Sequence, residues 1–216
     1  MKWFKPEKMS KGLYHKYLEE ALGSFPENRE TIRSAWRCPS NIALVKYWGK
    51  KPKQIPANPS LSFTLSNSYT EMTLTASRCA GKDPELEYFF EGVKNEAFET
   101  RIRGYLSNIN ACFPFLSGCD LRIESHNTFP HSSGIASSAS SMGALALGIC
   151  SIEQQLRDGD KDEEFYRKAS YMARLASGSA ARSVYGGFVT WGKQEGFEFT
   201  SDEFATPMME NAGPAL

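Results

Sequence analysis

Three short segments carry residue types suited to holding an anion. The first, Asn41-Ile42-Ala43-Leu44-Val45-Lys46-Tyr47-Trp48-Gly49-Lys50, is an apolar run that ends in two lysines and two large aromatics. Strand ends often present ligand groups, and an ammonium held at the core edge after four apolar residues meets a phosphate or carboxylate as a point charge. The second, Pro130-His131-Ser132-Ser133-Gly134-Ile135-Ala136-Ser137-Ser138-Ala139-Ser140-Ser141, lies between an expected strand and an expected buried helix. Small residues let the backbone approach an anion, and the free N–H groups and dipole of a helix start favour negative charge. It is not a Walker A loop, because no Gly-Lys-Ser/Thr follows. The third, residues 177–187, surrounds Arg182 with Ser177, Gly178, Ser179, Ala180 and Ala181, and an arginine fork beside hydroxyls and amides suits a diphosphate or carboxylate. Each segment has a plainer reading: a solvated lysine beside packing aromatics, a serine-rich cap over a packed helix, a helix end with a surface arginine. One bound polyanion would account for all three together.

The elements that must position these residues follow from periodicity. Residues 11–22 place Leu13, Tyr14, Tyr17, Leu18, Ala21 and Leu22 at helical spacing before Gly23. Residues 42–45 form an apolar strand after Pro39; residues 61–66 and 69–77 alternate as two further strands, and 86–91 is rich in aromatics, so several antiparallel strands open the chain. Phe98, Ile102, Tyr105, Leu106, Ile109 and Phe113 predict a helix over 97–113, closed by Pro114. A short strand over 121–124 precedes the serine-rich loop. Residues 136–156 then predict a buried helix, 161–176 an amphipathic one, and Gly186-Gly187 a turn into a strand over 188–191. This order lacks regular βαβ alternation and predicts an α+β fold.

Composition narrows the function classes. The chain has 216 residues, 25 Lys+Arg against 25 Asp+Glu, and is 41% hydrophobic. That is ordinary globular composition, and zero formal charge gives no reason to expect nucleic acid. No apolar run reaches the roughly 18 residues of a membrane span, and the first residues lack the apolar core of a signal peptide. The five cysteines (Cys38, Cys79, Cys112, Cys119, Cys150) show no metal-ligand spacing and read as reduced, mostly buried thiols of a cytoplasmic protein.

Four segments in order, Asn-Ile-Ala-x-x-Lys-Tyr-Trp-Gly-Lys at 41–50, Asn-x-Ser-Leu-Ser-x-Thr-Leu at 58–65, Asn-x-Phe-Pro-x-x-x-Gly-Ile-Ala-Ser-Ser-Ala at 127–139 and Ser-Gly-Ser-Ala-x-Arg-Ser-x-Tyr-Gly-Gly-Phe-Val at 177–189, resemble the mevalonate diphosphate decarboxylase branch of the GHMP small-molecule kinase superfamily. The resemblance covers roughly 36–191. It implies a GHMP-kinase-like N-terminal domain over 32–200, a helical extension over 1–31, and a tail or the start of a second half over 201–216, with the C-terminal GHMP domain largely missing. It implies ATP and Mg2+ as cofactors, mevalonate 5-diphosphate as the small-molecule substrate, and a homodimer as a possible assembly. The family phosphorylates the tertiary 3-hydroxyl; departure of that phosphate then drives decarboxylation to isopentenyl diphosphate, with the protein supplying positioning and electrostatic stabilisation.

By the same resemblance, Tyr47, Trp48, Gly49 and Lys50 touch the mevalonate part and Lys46 stands at the reacting centre. Ser177, Gly178, Ser179, Ala180, Ala181 and Arg182 hold the diphosphate and carboxylate, and Arg101 reaches the diphosphate. Ser132, Ser133, Gly134, Ala136, Ser137 and Ser138 cradle the ATP phosphates, with Ser137 near the metal, and catalytic roles fall to Lys46, Ser138 and Arg182. Two departures stand out. His131-Ser132-Ser133 replaces the family's Thr-Ala-Ala, and the Asp that acts on the 3-hydroxyl belongs to the family's second half. Asn211-Ala212-Gly213-Pro214 lacks that Asp. The alternatives are a related mevalonate or phosphomevalonate kinase or decarboxylase, and a non-catalytic anion-binding fragment. A missing half would also leave an apolar face uncovered.

Overall fold

Two long strands set the frame of the computed structural model, which describes residues 12–79, 83–130 and 137–208. Strand β1 (Thr31–Val45) runs antiparallel to β2 (Ser60–Arg78), from Thr31 opposite Ser77 to Val45 opposite Leu61, with register shifts at Pro39/Asn41 and Ala43/Val45. The far half of β2 takes β5 (Cys119–Asn127) along its other edge, and its near half takes β6 (Phe188–Trp191). Two separate strands were expected here. The chain stays extended through the exposed Ser66 and Asn67 because β1 pairs with both halves of β2. Beyond β5 lie β3 (Leu86–Phe90) and β4 (Val93–Lys94), and β7 (Thr206–Pro207) flanks β6. The β3–β5 pair is parallel, which corrects the all-antiparallel expectation for the opening strands: the helix α2 (Glu96–Ile109) lies between them in sequence and allows the crossover.

Helix α2 begins where Asn95 Oδ1 accepts the Phe98 N–H at 2.9 Å. It stops at Ile109, short of the expected 113. Pro114 disfavours helical backbone at the residue before it, and the chain tightens into 3-10 turns at Asn110–Cys112 and Pro114–Gly118. Helix α3 (Ser137–Leu156) is buried on nearly every side against β1, β2, α4 (Glu163–Ala176) and the short α5 (Ala180–Ser183). Gly143 makes that approach possible, since a Cβ there would lie 2.5 Å from Cys38 Sγ and 3.3 Å from the Ser183 Cβ. Helix α4 is capped by Asp162, whose Oδ1 accepts the Phe165 N–H at 2.9 Å.

Helix α1 (Leu13–Glu19) adds a wholly buried Tyr17 to the same core, edge-on to Tyr171 at 5.3 Å. Beneath it, buried Glu153 bridges Lys168 at 2.5 Å and Arg157 at 3.1 Å. Residues 201–208 are not a free tail. Ala205 is buried, its N–H donates to Ser170 Oγ at 2.9 Å, and β7 extends the sheet. Residues 209–216, including Asn211-Ala212-Gly213-Pro214, lie outside the described residues. Leu44 and Val45 at the end of β1, Phe188 at the start of β6 and Met208 are exposed.

Candidate anion site at the β1–α5 end

Arg182 of α5 is 2% exposed, yet its hydrogen-bond partners among the described residues are neutral. Nη1 donates to Ser60 Oγ at 2.6 Å and Nη2 to Asn41 Oδ1 at 3.2 Å, while Nε has no partner among the described residues. The guanidinium carbon lies 5.6 Å from the centre of the Tyr47 ring and 5.9 Å from that of Trp191, and these two rings meet nearly perpendicular at 5.0 Å. Burial without a carboxylate lowers the Arg182 pKa to about 10, with the Tyr47 oxygen acting in the opposite sense.

The sequence places these groups together through local necessity. Asn41, at the bulge of β1, uses its amide N–H groups on Ser183 Oγ at 2.7 Å and the Ser179 carbonyl at 3.2 Å, so β1 and α5 are tied through the residue that also receives Arg182. Gly178 must lack a side chain, because a Cβ would stand 2.9 Å from Trp191 Cη2 and 3.5 Å from Lys50 Cε. Trp191 is itself fixed, its indole N–H donating to the Asp202 carbonyl at 3.0 Å.

Of the residues expected here, Tyr47, Lys50, Gly178, Ser179 and Arg182 converge. Ala180 and Ala181 are fully buried. Lys46 departs from the sheltered position expected of it. It is exposed just past β1, not held at the core edge, because Leu44 and Val45 before it also face outward. Trp48 is 77% exposed at the rim beside Gly49, which turns with φ of 82°.

Arg101 lies elsewhere. It lines a cleft of about 340 Å³ with Ser137 and Ser138 of the α3 start, Ser141, Asn127 and the aromatics Tyr88, Phe90 and Phe98. Under this cleft the Thr70 hydroxyl donates to Asn127 Oδ1 at 2.8 Å and lies 2.7 Å from Ser140 Oγ, which lies 3.1 Å from the Ser137 carbonyl. That chain of polar contacts fastens the helix start to β2 and β5. His131, Ser132, Ser133, Gly134 and Ala136 lie outside the described residues. Asn41, Ser60, Trp191, Thr70 and Asn127 were missed as site residues. Asn41, Ser60 and Asn127 stand in the quoted motifs, but only the fold shows what their polar groups hold.

A mixed sheet packed against helices, a serine-rich helix start and a buried arginine with no carboxylate among the described residues fit a GHMP-kinase-like N-terminal domain, and comparison with known proteins agrees. The chain is 34% identical to mevalonate diphosphate decarboxylase from Staphylococcus aureus, with a TM-score of 0.66 over 84% of this chain and 51% of that one. It is 33% identical to the enzyme from Enterococcus faecalis, whose structure concerns mevalonate diphosphate-mediated ATP binding, with a TM-score of 0.65 over 83% of this chain and 52% of that one. Diphosphomevalonate decarboxylase of Aspergillus fumigatus is 32% identical over 195 residues, which is 82% of this chain and 46% of that protein. Residues 38–205 match the family described as the diphosphomevalonate decarboxylase-like N-terminal domain, and the chain belongs to that family. It spans about half the length of these relatives.

Proposed function

We propose that this chain is the substrate-recognising and nucleotide-phosphate-binding half of a mevalonate diphosphate decarboxylase. The observation that carries this reading is Arg182, a buried cation with no carboxylate partner among the described residues. A diphosphate or carboxylate brought to it supplies the missing counter-charge, and the aromatic corner of Tyr47 and Trp191 strengthens that attraction by excluding water. Lys46 and Lys50 add exposed positive charge at the rim.

The second cleft fits a nucleotide phosphate: it combines the start of a 20-residue helix, the hydroxyls of Ser137 and Ser138, and the Arg101 guanidinium. Bound ATP supplies a phosphoryl group that makes the 3-hydroxyl a leaving group. For Mg2+ the protein offers less. Among the described residues the cleft lining holds no carboxylate and no group of three ligating His, Cys, Asp or Glu occurs, so Ser137 would be one ligand and phosphate oxygens the rest. No helix among the described residues is long and apolar enough to cross a membrane, and five cysteines without a disulfide suit the reducing cytoplasm.

The test is calorimetric titration of the 216-residue chain with mevalonate 5-diphosphate, beside carbon dioxide and phosphate release with ATP and Mg2+. Saturable binding without release is expected, weakened about 100-fold in Arg182→Met because a buried charged pair is lost. Mevalonate and its 5-phosphate should bind more weakly than the diphosphate. No binding, or binding indifferent to Arg182→Met, overturns the proposal. Release from a clean preparation would show that the chain holds its own base.

A further inference from the structure

We infer that Asn58 is a positioning residue that sets the Tyr47 ring over Arg182, an inference that deepens the anion-site reading above and rests on it. Asn58 lies outside every residue expected to touch ligand, yet its amide grips the chain on both sides of Tyr47. Oδ1 accepts the Trp48 N–H at 2.6 Å, and Nδ2 donates to the Lys46 carbonyl at 3.1 Å. A further Nδ2 bond, 2.9 Å to the Pro59 carbonyl, fixes the amide to the start of β2. One side chain therefore ties the segment 46–48 to the strand whose Ser60 receives Arg182.

The grip needs an acceptor and a donor on one planar group. Aspartate at this position keeps the acceptor and loses both donations; alanine loses everything. The surrounding loop has other ties, Lys51 N–H to the Ile55 carbonyl at 2.7 Å and Ala57 N–H to the Gly49 carbonyl at 3.2 Å, so Asn58→Ala leaves the rest of the loop closed. What it frees is the segment carrying Tyr47. That ring is one of the two aromatic walls of the Arg182 corner, and it stands 5.8 Å from Lys50 Nζ. Once the ring wanders, water reaches the guanidinium and its attraction for an anion falls.

The experiment is a double-mutant cycle of Asn58→Ala, Tyr47→Ala and the pair, with Asn58→Asp as the intermediate. It is read in two ways. Without ligand, the Trp191 indole N–H resonance, assigned by loss in Trp191→Phe, reports the overlying Tyr47 ring. Asn58→Ala should move it toward its Tyr47→Ala position and cause no further shift in the Tyr47→Ala background. With mevalonate 5-diphosphate as probe, Asn58→Ala should weaken binding about tenfold, and the pair should bind no worse than Tyr47→Ala, whereas a merely structural role lowers stability without such coupling. An unmoved indole resonance, or additive losses in the cycle, overturns the inference. If the parent chain fails to bind the probe while the indole shifts as expected, the anion-site reading falls and the positioning of Tyr47 stands.

Discussion

Replacing Arg182 by methionine should hardly change the stability of the ligand-free protein and should remove most of its response to a diphosphate. The fall of the Arg182 pKa to about 10, well below the ordinary guanidinium range, means that burying the charged guanidinium costs roughly 3 kcal/mol. Methionine removes that cost and fills the apolar corner between Tyr47 and Trp191. Against this, Asn41 Oδ1 loses the donor 3.2 Å away, which costs about 1–3 kcal/mol. Ser60 is less affected, since its hydroxyl still donates to the Trp191 carbonyl at 3.0 Å. The two effects nearly cancel.

The sign with pH follows from the same shift. Below pH 10 the guanidinium is charged in both states and the penalty is complete and constant. Above about pH 10 the folded chain loses the proton before the unfolded one does, so the parent gains stability relative to Arg182→Met as pH rises from there toward the ordinary guanidinium range. Urea unfolding at neutral pH gives the decisive comparison. Parent and variant should agree within about 2 kcal/mol without ligand, while mevalonate 5-diphosphate at a hundred times the parent's Kd should add about 2.7 kcal/mol to the parent and only about 0.4 kcal/mol to the variant. A loss above about 3 kcal/mol in the ligand-free variant would refute the reasoning, because the arginine would then be a strut and not a charge awaiting its partner.

The other buried arginine should behave in the opposite way. Arg174 is 1% exposed and also has its pKa lowered by burial, but it donates to the carbonyls of Glu203, at 2.7 Å, and Lys53. Arg174→Met strands both acceptors and should cost about 2–4 kcal/mol in urea unfolding. Gly178→Ala drives a Cβ to within 2.9 Å of Trp191 Cη2, and a tryptophan so fixed cannot turn away, so a loss of about 1–3 kcal/mol together with weaker diphosphate binding should appear by denaturation and calorimetry. Burial pushes the thiols of Cys38 and Cys150 far up, Cys112 to about 11 and Cys119 to about 12. An aromatic disulfide reagent at pH 7.5 should therefore modify the partly exposed Cys79 well before the four buried cysteines in the native protein, and all five after denaturation.

The elements with one dominant period were legible from the residues. Helix α3 reads from its unbroken run of small and apolar residues, and β5 and β6 from alternation or a turn before an apolar run. Misreadings arose where pairing partners decide. Nothing local in Ser66-Asn67-Ser68 announces that β2 continues, because the continuity is imposed by β1 alongside it. The apolar spacing of α2 runs on to Phe113, a core residue, although the backbone has already tightened before Pro114. Burial and helicity share a signal there, and only the backbone separates them.

At the site, residue type revealed the charge and the fold revealed its environment. Arg182 could be singled out because small residues surround it, but its lack of a carboxylate depends on Asn41 and Ser60, which arrive from two other strands. Lys46 shows the reverse: four preceding apolar residues suggested a sheltered ammonium, yet two of them, Leu44 and Val45, are exposed because β1 is ending. The asparagines stood in the quoted motifs without any sign of their role. Asn41, Asn58 and Asn127 bear no charge and no reactive atom, but the amides of Asn41 and Asn127 join segments far apart in sequence and that of Asn58 ties a nearby loop. A neutral group that both donates and accepts can be buried at little cost when fully bonded, so it can hold charged and aromatic ligand groups in place without competing for the ligand's charge. On the proposed reading, such an arrangement leaves the buried charge of Arg182 without a carboxylate among the described residues, so a diphosphate should bind more tightly than a less charged analogue.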